Sequence, residues 1–161
     1  MKIGVVADTH SRALPKPMLN DFKRVDFIIH AGDFCSLDVA QQLKKIKDVK
    51  GVYGNMDDQD IRKAFPRRQL IKVGSVTIGV VHGNGPSAKI FEVVKNEFQT
   101  DKVDAVIFGH SHQALNETKD NVLYFNPGSP NDTMFAPYCS YGILEIADKD
   151  IKGKIIKVKG S

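Results

Sequence analysis

Apolar runs rich in β-branched residues recur along the chain, and each ends in glycine or a polar cluster, which is typical of buried strands. The predicted strands are residues 2–7, 26–31, 49–53, 76–81, 104–108 and 122–125. Between them, apolar positions recur at helical spacing from Ser36 to Lys47 and from Ser87 to Phe98, with Ser36 and Ser87 as predicted N-caps. The alternation of strand and helix in the first half predicts parallel strands joined by right-handed crossovers.

The second half of the chain changes character and predicts two β-hairpins. The paired segments are residues 69–73 with 76–81 around Gly74-Ser75, and residues 142–146 with 154–158 around a turn at 148–153. Together these elements predict an α/β sandwich of mixed sheets that pack together and are covered by a few helices. No internal repeat or linker-like segment divides the 161 residues, so we expect one domain over residues 1–161.

Composition and charge narrow the class of protein. Hydrophobic residues make up 42% and charged residues 26%, as in ordinary globular proteins. A net charge of +4 suggests a nucleic-acid partner, but most lysines flank an apolar helix or alternate with apolar residues near the C-terminus, which favours a solvated surface. The apolar stretches are much shorter than the ~20 residues of a membrane helix, so no membrane partner is expected. The N-terminus lacks a secretory pattern, and Cys35 and Cys139 have no metal-type spacing; both features predict a cytoplasmic protein with free thiols.

Unusual polar side chains directly follow five of the predicted strands. They are Asp8 and His10, Asp33, Asn55, His82, and His110 with His112. Ligands of open α/β sheets bind beyond the carboxyl ends of strands, so these five groups predict one site. Residues i and i+2 of an extended chain project to one side. We therefore expect Asp8 and His10 to bind at one point, and His110 and His112 likewise. Glycine adjoins four of the five groups and permits a close approach of the backbone.

The residue types in this set indicate a metal centre. Two carboxylates, four imidazoles and one amide oxygen suit Mn²⁺, Zn²⁺, Fe²⁺ or Ni²⁺ rather than Ca²⁺. Seven ligands exceed what one tetrahedral ion takes, whereas two ions that share a carboxylate would use them all, with Asp33 as the predicted bridge. A lone histidine after a strand is more often a hydrogen-bonded structural residue, and a lone aspartate more often a helix cap. Four of the five histidines follow strands in this way, which favours a joint site.

Three other polar features are predicted to have structural roles and not to form part of the metal site. His30 lies at odd spacing from Asp33, so core packing or a supporting hydrogen bond is favoured over metal binding. The acidic turn of Asp57, Asp58 and Asp60 predicts the start of a helix over residues 61–65 rather than a third metal site. For Arg12, a surface position is favoured over a phosphate contact.

The chain resembles the calcineurin-like metallophosphoesterase superfamily, specifically its small, single-domain prokaryotic phosphodiesterase branch. The resemblance covers nearly the whole chain and rests on six blocks in order: Asp8-Thr9-His10, Gly32-Asp33, Gly54-Asn55-Met56-Asp57, His82-Gly83, Gly109-His110-Ser111-His112 and Asn126-Pro127-Gly128-Ser129. It implies a four-layer α/β/β/α sandwich with two mixed β-sheets flanked by helices. It also implies two metal sites, one formed by Asp8, His10, Asp33 and His112, and the other by Asp33, Asn55, His82 and His110.

One position departs from the family pattern. Many members carry a histidine directly after the asparagine, where it helps to stabilise the transition state or protonates the leaving oxygen, but here that residue is Met56. The branch with this feature looks like one that favours diesters with good leaving groups over monoesters. Asp57 either compensates for the missing histidine or caps the next helix.

The resulting prediction is a dinuclear phosphoesterase that hydrolyses phosphodiesters by in-line attack of a metal-bridging hydroxide. Asp33, Asn55 and His110 are the candidate catalytic residues, Mn²⁺ is the first candidate metal, and the expected partner is a small phosphate-ester substrate. The alternatives are a phosphomonoesterase or nuclease with the same site, and a catalytically idle scaffold of the retromer-subunit type, which the resemblance also includes. A homo-oligomer stays open.

Overall fold

The computed structural model describes residues 1–159, so Gly160 and Ser161 of the predicted domain lie outside the described residues. Ten strands and four helices are found in this part of the chain. The strands are β1 Lys2–Val6, β2 Phe27–His30, β3 Val49–Gly51, β4 Arg68–Val73, β5 Val76–Val81, β6 Ala105–Ile107, β7 Leu115–Lys119, β8 Val122–Asn126, β9 Ser140–Ala147 and β10 Asp150–Lys157. The helices are α1 Lys16–Phe22, α2 Leu37–Lys44, α3 Gln59–Ala64 and α4 Ile90–Glu97, and one 3₁₀ turn, Ser87–Lys89, precedes α4.

The strands form two mixed five-stranded sheets. The first has the order β10-β9-β1-β2-β3 and the second the order β4-β5-β6-β8-β7. β1, β2 and β3 run parallel in the first sheet, and β5, β6 and β8 run parallel in the second. Each sheet therefore has three parallel strands whose ends point the same way, and antiparallel hairpins form three of the four edges, the fourth being β3.

Three apolar clusters define the layers. The central cluster joins the inner faces of both sheets, for example Val5 and Ile29 of the first with Ile78 and Ile107 of the second. A second cluster packs α1, α2 and α3 on the outer face of the first sheet, and a third packs α4 on the second sheet. This is the predicted α/β/β/α sandwich with two mixed sheets flanked by helices.

Local capping agrees with the prediction at one helix and differs at the other. Ser36 is the N-cap residue of α2 as predicted, although its side chain makes no capping hydrogen bond. Ser87 is the first residue of the 3₁₀ turn and not an N-cap, because Pro86 precedes it with extended backbone. The acidic turn does begin a helix: Asp58 caps α3 by accepting a hydrogen bond from the amide of Ile61 at 3.0 Å. Across residues 1–159, no helix combines the length and apolar character needed to cross a membrane.

Candidate metal centre

The parallel strands of both sheets deliver the predicted site residues to one place. Each residue lies in the segment that follows a strand: Asp8 and His10 after β1, Asp33 after β2, Asn55 after β3, His82 after β5, and His110 and His112 after β6. Backbone hydrogen bonds join these segments, with the amide of Asp8 donating to Gly32 and that of His10 donating to Asp33. The two sheets thus contribute to a common cluster at their carboxyl edges.

Asp8, His10 and His112 form the first half of this cluster. The Nε2 atoms of the two imidazoles lie 3.1 Å apart. Asp8 Oδ1 lies 3.5 Å from Nε2 of His112 and 3.8 Å from Nε2 of His10. An ion bound at 2.0–2.1 Å to two imidazoles holds their nitrogens roughly 3 Å apart, so the three side chains could hold a metal ion.

Asp33, Asn55, His82 and His110 form the second half. Nε2 of His82 lies 3.3 Å from Asp33 Oδ2 and 3.1 Å from Asn55 Oδ1. Nδ1 of His110 lies 3.2 Å from the same amide oxygen. Asp33 Oδ2 is also 3.7 Å from Nε2 of His10, so this carboxylate faces both halves.

Each of the four imidazoles turns one nitrogen into the cluster and has the other held from outside. The outward contacts are His82 Nδ1 with the carbonyl of Ala31 at 2.8 Å, His110 Nε2 with the carbonyl of Gly85 at 2.7 Å, His112 Nδ1 with Asp132 Oδ2 at 2.6 Å, and His10 Nδ1 with Cys35 Sγ at 3.3 Å. A carbonyl or carboxylate partner requires an N–H on the outward nitrogen, so once the ring is neutral its lone pair lies on the inward nitrogen. Histidines that bind metals are oriented by such contacts.

The two carboxylates follow the same pattern. Asp8 Oδ2 accepts a hydrogen bond from the amide of His110, and Asp33 Oδ1 accepts one from the amide of Met56. Asp8 Oδ1 points inward, is fully buried and has no hydrogen-bond partner among residues 1–159. An unsatisfied, buried carboxylate oxygen is costly unless a cation compensates it. This atom, surrounded by imidazole nitrogens, fits a divalent metal ion.

Comparison with known families agrees with this geometry. Residues 1–149 match the calcineurin-like phosphoesterase superfamily domain. A probable metallophosphoesterase of Methanocaldococcus jannaschii is 34% identical over 99% of this chain and 82% of its own length. The chain belongs to the calcineurin-like phosphoesterase superfamily. Membership implies a hydrolase with divalent metal ions and a small phosphate-ester substrate.

Further relatives and solved structures extend the comparison. A protein named a phosphodiesterase from the same archaeon is 30% identical over 80% of this chain and 83% of its own length. The solution structure of a Thermotoga maritima protein is 29% identical, with a TM-score of 0.75 over 98% of this chain and 99% of that one. Vps29 from Entamoeba histolytica, at 22% identity and a TM-score of 0.77 over 99% and 100% of the chains, shares the fold.

Charges inside this phosphoesterase site stabilise one another. Burial raises the pKa of Asp8, but the imidazoles of His10, His112 and His82 around its carboxylate hold it well below its usual range. The nearby Asp8 carboxylate raises the pKa of His10 to about 9. Burial lowers the pKa of His82 and His112, yet the neighbouring carboxylates raise both to about 9. The metal-free site therefore carries protonated imidazoles against ionised carboxylates at neutral pH, and bound cations would replace those protons.

The backbone of the site corrects one expectation from the sequence. The prediction assumed extended chain at Asp8 and His10, but both have left-handed backbone, with φ of 57° and 47°. Asp33, His110 and His112 have positive φ as well. Non-glycine residues seldom adopt this conformation, and such strain is concentrated at functional sites. The side chains converge through turns that redirect each residue, and not through the pleat of a strand.

The predicted arrangement of His110 and His112 is also wrong. The residue spacing predicted that both would grip one locus, yet His112 lies beside Asp8 while His110 lies beside Asn55. The left-handed turns at the two histidines send their rings to opposite halves of the cluster. This division agrees with the two ligand sets that the family resemblance implied.

Two glycines are required by close packing within the site. A Cβ atom on Gly54 would lie 2.1 Å from Asp33 Oδ1. One on Gly32, where φ is +99°, would lie 2.6 Å from Nδ1 of His82. Any side chain at either position would displace a member of the cluster.

His30 is a structural residue, as predicted. It is fully buried, its Nδ1 accepts a hydrogen bond from the amide of Gly32, and its Nε2 lies 3.1 Å from Thr9 Oγ1. Burial lowers its pKa to about 3, so the ring is neutral. Its ring stacks on Phe34, with the centroids 3.5 Å apart.

Asp57 does not cap the helix, which was one of the two roles that the sequence suggested. Its buried carboxylate accepts hydrogen bonds from the amides of Asp33, Cys35 and Gly54, and Asp58 provides the helix cap instead. Asp57 thus fastens the segment after β2 to the segment after β3. The exposed Arg12 donates a hydrogen bond to the carbonyl of Asn131 at 3.2 Å.

Sequence reasoning missed Asp132, which holds His112. It lies in the irregular segment between β8 and β9, and its Oδ1 accepts hydrogen bonds from the amides of Met134 and Phe135 while Oδ2 contacts the ring. Hydrogen bonds from His112 and these amides outweigh burial and lower the pKa of Asp132 to about 2. An aspartate among Pro, Asn and Thr looks like an ordinary turn residue, so no sequence signal distinguished it.

Proposed function

We propose that the protein is a dinuclear, metal-dependent phosphodiesterase. In this proposal, Asp8, His10, Asp33 and His112 hold one ion, and Asp33, Asn55, His82 and His110 hold the other. The observation that carries it is the shared orientation of the cluster: every imidazole and carboxylate has one atom fixed by an outer partner and another directed inward. Such preorganisation is costly in buried charge and is expected where ions bind.

Two bound cations would lower the pKa of water and neutralise charge on the phosphoryl oxygens. The chain supplies the orientation. Asp8, Asp33 and His82 are buried, His10, His110 and His112 are partly exposed and Asn55 is exposed, so the cluster opens to solvent most widely at Asn55. We assign Asn55 to orienting a phosphoryl oxygen, and the carbonyl of Gly85 to fixing the ring of His110 beside it.

The residues beside Asn55 favour diesters over monoesters. Met56, at the position of the family histidine, is 60% exposed and has no proton to donate. Asp57 is engaged by three amides. Met56 cannot protonate a poor leaving group, and both oxygens of Asp57 are already held as acceptors, so we propose that the site suits esters whose leaving oxygen departs unprotonated.

Restoring metals to stripped protein tests the proposal. With Mn²⁺ we expect hydrolysis of bis(4-nitrophenyl) phosphate to exceed that of 4-nitrophenyl phosphate by at least about tenfold in kcat/KM, a difference of ~1.4 kcal/mol in barrier. The absorbance of released 4-nitrophenolate measures both rates. Parallel assays with Ni²⁺, Zn²⁺, Fe²⁺ and Mg²⁺ rank the metals, because the nitrogen-rich ligand set disfavours Mg²⁺.

Each alternative has its own result in this assay. Equal or faster monoester hydrolysis would contradict the diester assignment. An absence of hydrolysis with all five ions, despite bound metal, would favour the protein-binding scaffold. Faster cleavage of oligonucleotides than of aryl diesters would favour the nuclease.

Replacing Asp132 by asparagine should weaken metal binding by about 10–100-fold. The amide keeps an acceptor for Met134 and Phe135 but removes the negative charge beside Nδ1 of His112. Calorimetric titration of the stripped variant with Mn²⁺ measures the loss independently of catalysis. Asp148→Asn, at the exposed turn after β9, is the matched control, and equal affinities of the two variants would show that Asp132 has no positioning role.

A further inference from the structure

A cavity of about 280 Å³ opens beside the second half of the metal cluster. Asn55 and His82 line it, so the cavity is continuous with the proposed site of phosphate binding. Val81 and Val93 form an apolar wall, and Arg62 and Arg67 bring cationic side chains. The volume lies just below the range for whole small-molecule ligands, which fits one arm of a substrate.

The charges around this cavity do not cancel. Arg67 pairs with Glu97 at 2.7 Å, and Glu97 also lies 3.3 Å from Arg68 Nε. Arg62 has no ion-pair partner among residues 1–159. Its contacts are the carbonyls of Asp57 at 2.9 Å and Asn55 at 3.4 Å. Of the two arginines that line the cavity, Arg62 therefore has an uncompensated charge.

Arg62 is held in place before any ligand arrives. Its guanidinium lies over the ring of Tyr53, 4.7 Å from the centroid, in addition to the two carbonyl contacts. A guanidinium has five N–H donors, so donors remain for an anion. Arginine recognises phosphate well because its planar fork can donate two parallel hydrogen bonds. Fixing the side chain in advance lowers the entropic cost of that contact.

The geometry points to a second anion subsite in this cavity, with Arg62 as its specificity-determining residue. The substrate class is then a phosphodiester in which one arm bears a further phosphate. The scissile diester would lie at the metal cluster, the arm against Val81 and Val93, and the second phosphate at Arg62. This inference rests on the proposed phosphodiesterase function and narrows its substrate.

Two esters with the same leaving group test the subsite. They are 4-nitrophenyl thymidine 5′-phosphate and its 3′-phosphorylated counterpart, which differ only in the second phosphate. We expect the 3′-phosphorylated ester to have a kcat/KM at least about tenfold higher, the effect of one charge-assisted hydrogen-bonded contact. Arg62→Gln should reduce this ratio to near one. Arg24→Gln, which removes the same charge from the turn before β2 at the opposite strand ends, should leave it unchanged.

The ratio of the two kcat/KM values separates recognition of the second phosphate from damage to the metal cluster, because a displaced Asn55 would lower the hydrolysis rate of both esters equally. A ratio near one in the natural protein, or a high ratio that survives in Arg62→Gln, would overturn the subsite. Hydrolysis of bis(4-nitrophenyl) phosphate with neither thymidine ester cleaved would overturn it too, since the cavity would then exclude the sugar arm. Inactivity toward all three esters is the distinct result that removes the phosphodiesterase function itself.

Discussion

Replacing Asp33 by asparagine should lower kcat for bis(4-nitrophenyl) phosphate by at least ~10³-fold, equivalent to ~4 kcal/mol of transition-state stabilisation. Asp33 Oδ2 faces both His10 and His82, so the carboxylate joins the two halves of the cluster. Asparagine keeps an oxygen for the amide of Met56 and tolerates the left-handed backbone at this position, where φ is 59°. The variant therefore isolates the lost charge, and steady-state kinetics with saturating Mn²⁺ measure its effect.

Asp148→Asn is the matched control for this experiment. Asp148 also has left-handed backbone, with φ of 54°, but lies in the turn between β9 and β10. The same substitution in the same conformation should leave kcat within about twofold of the natural value. Near-normal activity of Asp33→Asn, with circular dichroism unchanged in both variants, would show that Asp33 does not join the ions.

The layered fold could be predicted because continuous apolar runs and period-3.6 patterns report burial directly. Buried strands such as β1 and β6 are continuous apolar runs, and α2 and α4 have an apolar face. Elements with weak patterns escaped prediction. β7 is an exposed edge strand with the sequence LNETK, and α1 begins with Lys-Pro and buries Met18 and Phe22. Neither β7 nor α1 has an apolar periodicity that distinguishes it from a loop in the sequence.

The convergence of the candidate site residues was predictable for a related reason. Parallel strands place their carboxyl ends together, so unusual residues after β1, β2, β3, β5 and β6 had to approach one another. The finer geometry was not predictable. The direction of each side chain depends on left-handed turns, for which Asp8 and His112 have only weak intrinsic preference. The contact between His112 and Asp132 joins residues 20 positions apart, with β7 and β8 between them, and only the folded structure reveals it.

The apparent affinity for both metal ions together should fall by up to about a hundredfold for each pH unit below 9, because His82 must lose a proton and His10 and His112, whose Nε2 atoms lie 3.1 Å apart, must lose the one that they share. The pKa values of His10, His82 and His112 are about 9 in the metal-free protein, raised by Asp8 and Asp33. Calorimetric titrations in two buffers of different ionisation enthalpy count the protons released, and chelator competition between pH 7 and 9 gives the slope.

Stability of the metal-free protein should have the opposite dependence on pH. The folded-state pKa of these three histidines exceeds the unfolded value of 6.5, so their contribution to the free energy of unfolding is complete below pH 6.5 and is lost as the pH rises through 9. In the presence of chelator, the melting temperature should thus fall between pH 6.5 and 9. Saturating Mn²⁺ should remove this fall, because the ions replace the protons as counter-charges to Asp8 and Asp33. If neither the metal affinity nor the metal-free melting temperature changes between pH 6.5 and 9, the imidazoles are not ion-paired with these carboxylates. The opposed slopes would arise from one cause, the competition of protons and metal ions for the same imidazole nitrogens beside the buried carboxylates.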